Sequence, residues 1–408
     1  MTDFKAIYYG SRCLIQHHDP YNPSEFLDVY RADGGKLPSD PDILRLFLRA
    51  VPVYINMPTT LFLFAPLAMI PWGAAHVLWM LLLAGCFTLA ALLMWKCARG
   101  HAPGASLFLI CILLANCELV FSTGRSAAFA ISLCVVAVWC FLQDRFVYAG
   151  ILCLAVSLII KPHDAGLVWL YFLMAGGVCR KRALQTLVVT AALALPAILW
   201  VSNVSPHWMA EQRSNLSLTS AHGGLGDPGP DAISMSKPDR VIDLQTVISV
   251  FRDDPRIYNP VSYLICGVLL LTWSVRTLKL RFSPANAWLA LAAIAALSML
   301  PIYHRQYDAK LILLTVPACA MLWAEGGLIG WMALVVNTAG VVLVGDIPSV
   351  MLTLFLGNLH YGASGIIGQM LTVILMRPVP LILLVMAVFY LWVYLRRSVH
   401  DPEVGMAQ

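Results

Sequence analysis

The sequence predicts an all-α protein, a polytopic transmembrane helix bundle of about eleven spans with extracytoplasmic loops and short interfacial helices. Three observations carry that prediction. Of 408 residues, 60% are hydrophobic and only 12% charged, against roughly a quarter charged in a soluble domain. Apolar runs able to cover most or all of roughly 30 Å of hydrocarbon recur along the whole chain. Lys and Arg fall in alternate connections between those runs, the bias that sets orientation in a bilayer. The net charge of +5 is modest and not gathered into a basic footprint, so nucleic acid is not expected as a partner. Nearly all of the 11 cysteines lie in apolar runs, with Cys13 in a polar stretch. They read as small helix-packing residues, without disulfides or a metal site.

The chain divides as one membrane domain, 1–408, in five parts. Residues 1–71 form a first extracytoplasmic segment that ends in a short re-entrant or interfacial helix over 58–70. A first helix group, 72–201, holds the runs 72–95, 105–121, 126–142, 147–160, 165–178 and 183–201. A large polar loop, 202–260, follows. The second group, 261–395, holds 261–275, 285–301, 311–323, 328–344 and 379–395, with shorter pieces at 350–356 and 366–376. Residues 396–408 are a tail.

Basic residues mark one side of the bundle: Lys96 and Arg99, Arg145, Arg180 to Arg182, Arg276 with Lys279 and Arg281, and Arg396 with Arg397. By the positive-inside rule that side is cytoplasmic. The protein is therefore expected in the plasma (inner) membrane as a multi-pass protein whose working face is extracytoplasmic. That outer face receives 1–56, 122–125, 161–164, 202–260, 303–308 and 346–377. Short outer turns that combine Lys, His, Arg and Asp run against the charge bias. Because no hydrophobic segment precedes the first outer stretch in this sequence, a further transmembrane helix is expected upstream of Met1.

Several outer motifs bear chemistry. His17-His18-Asp19-Pro20-Tyr21 has two readings: a carboxylate at the mouth of a bundle, able to act as a general base, or an Asx turn. Lys161-Pro162-His163-Asp164 offers cationic donors to a phosphate, or a lysine reaching the interface beside a helix-breaking proline. In Tyr303-His304-Arg305-Gln306-Tyr307-Asp308, a helix would set His304 and Asp308 on one face with Arg305 beside them. That is a phosphate clamp or a local salt bridge. No second His or carboxylate follows at metal-ligand spacing, so no metal is expected. The Gly/Pro-rich stretch 223–230 lacks the flanking strand and helix of a nucleotide loop. Val241, Leu244, Val247, Ile248 and Phe251 recur at helical spacing, which predicts an amphipathic helix over 240–251 on the outer surface or over a cavity. Asn203-Val-Ser205 and Asn215-Leu-Ser217 match the glycosylation pattern, one that recurs by chance.

These residues together resemble the family-87 membrane glycosyltransferases of the GT-C fold, whose members include polyprenyl-phosphate-mannose-dependent α-mannosyltransferases. The matching features are Asp3-Phe4 and Asp19-Pro20-Tyr21, then Pro58 to Pro71 leading into Ala75 to Trp79. Gly150 with Lys161-Pro162, and Tyr303-His304-Arg305 with Tyr307-Asp308, follow in order. The chain departs from the family at Gly124-Arg125, where members usually carry Gly-Gln, and in lacking the helix before the first acidic residue. The resemblance implies inverting transfer of a hexose, mannose first, from a polyprenyl-phosphate donor to a glycan or glycolipid acceptor hydroxyl. Asp3 would be the base, with Asp19 second. Tyr21, Lys161, His163, Tyr303, His304, Arg305 and Asp308 would bind substrate. Membrane lipid is the other partner, and no cofactor is implied, since the donor carries its own activation. Oligomeric state is not readable.

Two rivals share the helix count. A lipid-linked glycan ligase or polymerase would not need the early acidic motif. A secondary transporter would place ionisable groups near the midplane, commonly in repeated halves, whereas these spans are nearly free of charge.

Overall fold

The computed structural model describes residues 2–230, 232, 240–356 and 365–397. Each of the eleven apolar runs is helical over most of its length, and the described chain is an all-α membrane bundle. Among the described residues six helices are long and apolar enough to cross a membrane: Trp72–Ala98, Pro103–Thr123, Gly177–Val204, Pro255–Lys279, Gln306–Glu325 and Pro378–Arg396. The remaining runs are shorter. Pro284–Leu297 has 14 residues, about 21 Å at 1.5 Å per residue. Its residues from Ala287 to Leu297 are all buried. Protein rather than lipid surrounds it, so it need not match the bilayer thickness.

Residues 2–71 are largely helical rather than an open loop. Thr2–Ile15, Pro23–Ala32, Pro41–Ala50 and Pro58–Ala68 form a layer at one end of the bundle. Proline opens the last three, where its missing N–H costs nothing and its φ is already helical. Aromatic packing holds the layer down: the Phe4 ring stacks on Trp79 and Trp72 with centroids 5.4 Å away in each case. Tyr8 Oη donates to the Ile70 carbonyl at 2.7 Å. Gly10 allows close approach to the Pro58–Ala68 helix, since a Cβ there would lie 2.9 Å from Leu61 Cδ2.

The ends of the bundle sort by charge partner. At one end Arg182 pairs with Asp144 and donates to the Phe141 carbonyl at 2.7 Å, and Arg397 pairs with Glu325. At the other end Asn215 Nδ2 donates to the Tyr21 carbonyl at 2.9 Å, and Arg377 to Ser249 Oγ at 3.1 Å. Asn215 is buried and its amide is spent on Tyr21 and Tyr54 carbonyls, so it is not available to a glycan.

The predicted helix over 240–251 is only half present. Gln245–Phe251 is helical with Leu244 as its N-cap, but Arg240 to Asp243 is not helical, and the backbone of 240–244 bonds to the 300–306 segment. Ile242 N–H donates to the His304 carbonyl at 2.9 Å, Gln306 N–H to Arg240 at 3.0 Å, and Leu244 N–H to Leu300 at 2.9 Å. Asp243 caps the helix by accepting from Thr246 N–H at 3.0 Å. Its burial pushes the carboxyl up to about 7. The apolar periodicity is real, but the backbone of 240–244 finds its partners across the chain instead of along it.

Candidate active site

The charged outer motifs meet. Asp3, near the start of the Thr2–Ile15 helix, pairs with Arg125, which follows the left-handed Gly124. The Gly124 carbonyl accepts from Trp79 Nε1 at 3.1 Å, so the ring that seats Phe4 also sets the turn that delivers Arg125. The Arg125 guanidinium lies over the Tyr307 ring, 4.3 Å from its centroid, and reaches Tyr307 Oη at 3.4 Å. Lys161 Nζ lies 5.3 Å from the same ring and pairs with Asp308. Lys161 is also 3.4 Å from Asp164 Oδ2. Asp164 Oδ1 faces His304 Nε2 at 3.1 Å and His163 Nε2 at 3.9 Å. The His163 and His304 rings meet edge to face at 4.8 Å.

Burial grades across this cluster. The Asp3 side chain is 30% exposed and His163 32%, whereas Asp164, His304 and Asp308 are at 1% or less. Ionised groups at such depth persist only when paired. The cluster therefore has a fixed ionic floor and an open rim at Asp3 and His163.

Several expectations change in detail. His304 and Asp308 do not share an α-helical face, because the helical segment starts at Gln306 and is 3-10. Asp308 instead accepts from Arg305 N–H at 2.8 Å and pairs with Lys161, and the carboxylate facing His304 is Asp164. The antiparallel bridge between Val241 and Arg305 holds this segment off the helical path. Arg305 turns toward the outer loop, donating to Tyr303 Oη and, at 2.7 Å, to the Leu225 carbonyl. Arg305 thus joins the cluster to the Gly/Pro-rich stretch through Tyr303 and Leu225.

Asp19 and Tyr21 lie elsewhere. Asp19 Oδ1 accepts from Tyr21 N–H at 2.8 Å, an Asx turn, and its Oδ2 accepts from Ser205 Oγ at 2.6 Å. Tyr21 is buried against Tyr54 and Trp208, its hydroxyl donating to the Asn56 carbonyl at 2.9 Å. The residues that sequence reasoning missed are Arg125, Asp164 and Tyr307. Arg125 had a signal: an arginine in a short outer turn, against the charge bias. Asp164 stood within a motif already singled out, but nothing local tied it to His304.

A cavity of about 110 Å³ lies beyond Gln306, lined by Arg240, Val241, Pro348 and Arg377 among others. It does not touch the Asp3, Lys161 or His304 side chains. The ionic cluster, with its open carboxylate, is the stronger candidate for chemistry.

Fold and cluster define a polytopic helical membrane protein with an ionised centre at one end of its bundle. Residues 54–225 match Glycosyltransferase family 87, in agreement with the resemblance carried by the motifs. The match spans less than half of the chain. It includes Arg125, Lys161, His163 and Asp164, and leaves Asp3 and 303–308 outside. No curated protein and no solved structure matches the chain.

Proposed function

We propose that this protein is a GT-C-type hexosyltransferase that takes a sugar, mannose first, from a polyprenyl-phosphate donor and passes it to a glycan or glycolipid hydroxyl on the extracytoplasmic face. The observation that carries the reading is Asp3: a carboxylate at an open rim, set against two cations, Arg125 and Lys161, that share the Tyr307 ring. An anionic lipid phosphate is drawn to such cations, and a carboxylate beside them can receive a proton from an incoming hydroxyl.

The step balances with these groups alone. The acceptor oxygen forms its bond to the anomeric carbon from the face opposite the phosphate, which inverts the centre. Its proton passes to Asp3. The bond from the anomeric carbon to the phosphate oxygen breaks, and polyprenyl phosphate leaves with the electron pair. Arg125 and Lys161 stabilise the charge that gathers on that oxygen, an effect that grows where water is excluded. The donor phosphodiester supplies the activation, so no separate group-transfer cofactor enters.

The test is transfer from a radiolabelled polyprenyl-phosphate mannose by the purified protein in lipid nanodiscs. Labelled product that depends on an added glycolipid acceptor is expected. Transfer from a nucleotide sugar, with none from the lipid donor, would overturn the donor assignment.

A further inference from the structure

We propose that His163, Asp164 and His304 form a binding site for a divalent transition-metal ion of the Zn²⁺ type. One nitrogen from each imidazole and one Asp164 oxygen lie within 4.8 Å of one another. The argument starts at the other nitrogen of His304. Its Nδ1 is 2.9 Å from the Ile302 carbonyl, and a carbonyl can only accept, so Nδ1 carries the proton. In the neutral ring the Nε2 lone pair then points at Asp164 Oδ1, 3.1 Å away. Two acceptors face each other and need a cation between them.

The neighbours do not supply a hydrogen bond. Among the described residues His163 Nε2, His304 Nε2 and both Asp164 oxygens are closed off from solvent and have no hydrogen-bond partner. Lys161 is near, 3.4 Å from Asp164 Oδ2, but its ammonium is engaged by Asp308. Three unsatisfied lone-pair groups converging at such depth run against the rule that buried polar atoms are partnered.

The donor set selects the metal. Two imidazoles and a carboxylate suit Zn²⁺ and its neighbours, whereas Mg²⁺ and Ca²⁺ take oxygen ligands. A tetrahedral Zn²⁺ with bonds of about 2.0–2.1 Å sets its ligand atoms about 3.3 Å apart. His304 and Asp164 already stand near that spacing. His163 must close from 3.9 Å to Asp164, and its partly exposed side chain has room to do so. The Ile302 carbonyl behind His304 is the outer contact that fixes the tautomer of a ligating histidine. Three protein ligands leave a fourth position open. The site stands on this geometry and not on the glycosyltransferase reading. It departs from the expectation of no metal, which considered only spacing within 303–308, while the fold brings the second histidine and the carboxylate from 163–164.

The test is metal content and Co²⁺ spectroscopy on the full chain in detergent, stripped with chelator, loaded with Zn²⁺ or Co²⁺, and desalted. One equivalent of Zn²⁺ should remain, with intense visible bands for Co²⁺ in a site of low coordination number. Asp164→Asn and His163→Gln should each weaken Zn²⁺ binding by more than the roughly 10–100-fold typical of an outer-contact change. His163 is partly exposed, so its variant keeps the test valid if Asp164→Asn fails to fold. His101→Gln, at an exposed position remote in sequence from the three ligands, should change nothing. Equal Zn²⁺ retention in wild type and both site variants would overturn the proposal. So would wild type that retains no Zn²⁺ while NMR shows His304 doubly protonated at neutral pH. In that case a proton is the cation between His304 and Asp164.

Discussion

Arg125 and Asp3 form an ion pair across 122 residues of sequence, and the same guanidinium covers one face of Tyr307. The pair fixes the carboxylate at the rim and holds a cation beside it. If Asp3 is the base, Asp3→Asn keeps the shape and loses the proton acceptor. Transfer should fall about 10²–10⁴-fold, with donor binding unchanged. Asp19→Asn should stay within a few-fold, because asparagine makes the same turn. Inactive Asp19→Asn beside active Asp3→Asn would move the base to Asp19.

Lys161 and Asp308 separate stability from chemistry. Asp308 and Asp164 are both 1% exposed. Lys161→Met strands Asp308, the carboxylate that engages its ammonium, and removing one partner of a buried pair costs about 3–5 kcal/mol, seen as a lower Tm. The double substitution Lys161→Met with Asp308→Leu should recover much of that loss, since a buried pair can be exchanged for apolar groups at little cost. Transfer should not recover with it if Lys161 meets the donor phosphate. A double variant with wild-type turnover would take Lys161 out of the chemistry.

The bundle and the gathering of outer motifs were legible because hydrophobic runs and loop charges are local signals. The pairings were not. His304 lies beside Asp164 rather than Asp308 because the backbone of 240–244 holds 303–305 off the helical path, a contact with no sequence periodicity. The partners of Arg125 and Asp164 were hidden for a similar reason: each is one polar residue in a short turn, and its partner lies more than a hundred residues away. The helical layer of residues 2–68 was hidden by its composition, since buried tyrosines and capping Asp and Asn read as a polar loop.

Orientation is open to a direct measurement. Ser220 and Lys181 are both exposed, in the helix of the 202–260 loop and in the basic first turns of the Gly177–Val204 helix. A cysteine introduced at Ser220 should react with an impermeant maleimide added to intact cells. One introduced at Lys181 should react only after the membrane is opened. The reverse pattern would turn the candidate site toward the cytoplasm and remove the extracytoplasmic assignment.

Glu211 gives the pH dependence a sign. Its carboxyl lies beside Asp19, and burial, then the hydrogen bond and charge of Asp19, raise it from its ordinary 4.5 to about 7. Between those values the folded chain holds a proton that the unfolded chain has released. Stability should therefore fall as pH rises from about 4.5 to about 7 and level off above it. Glu211→Gln keeps a donor toward Asp19 and cannot ionise, so its Tm should lose this component of the slope and exceed that of wild type at about pH 8. Asp19→Asn should flatten the same window by removing the facing carboxylate. Thermal unfolding of the three proteins across this range decides the matter: an unchanged slope in Glu211→Gln would assign the titration to another group.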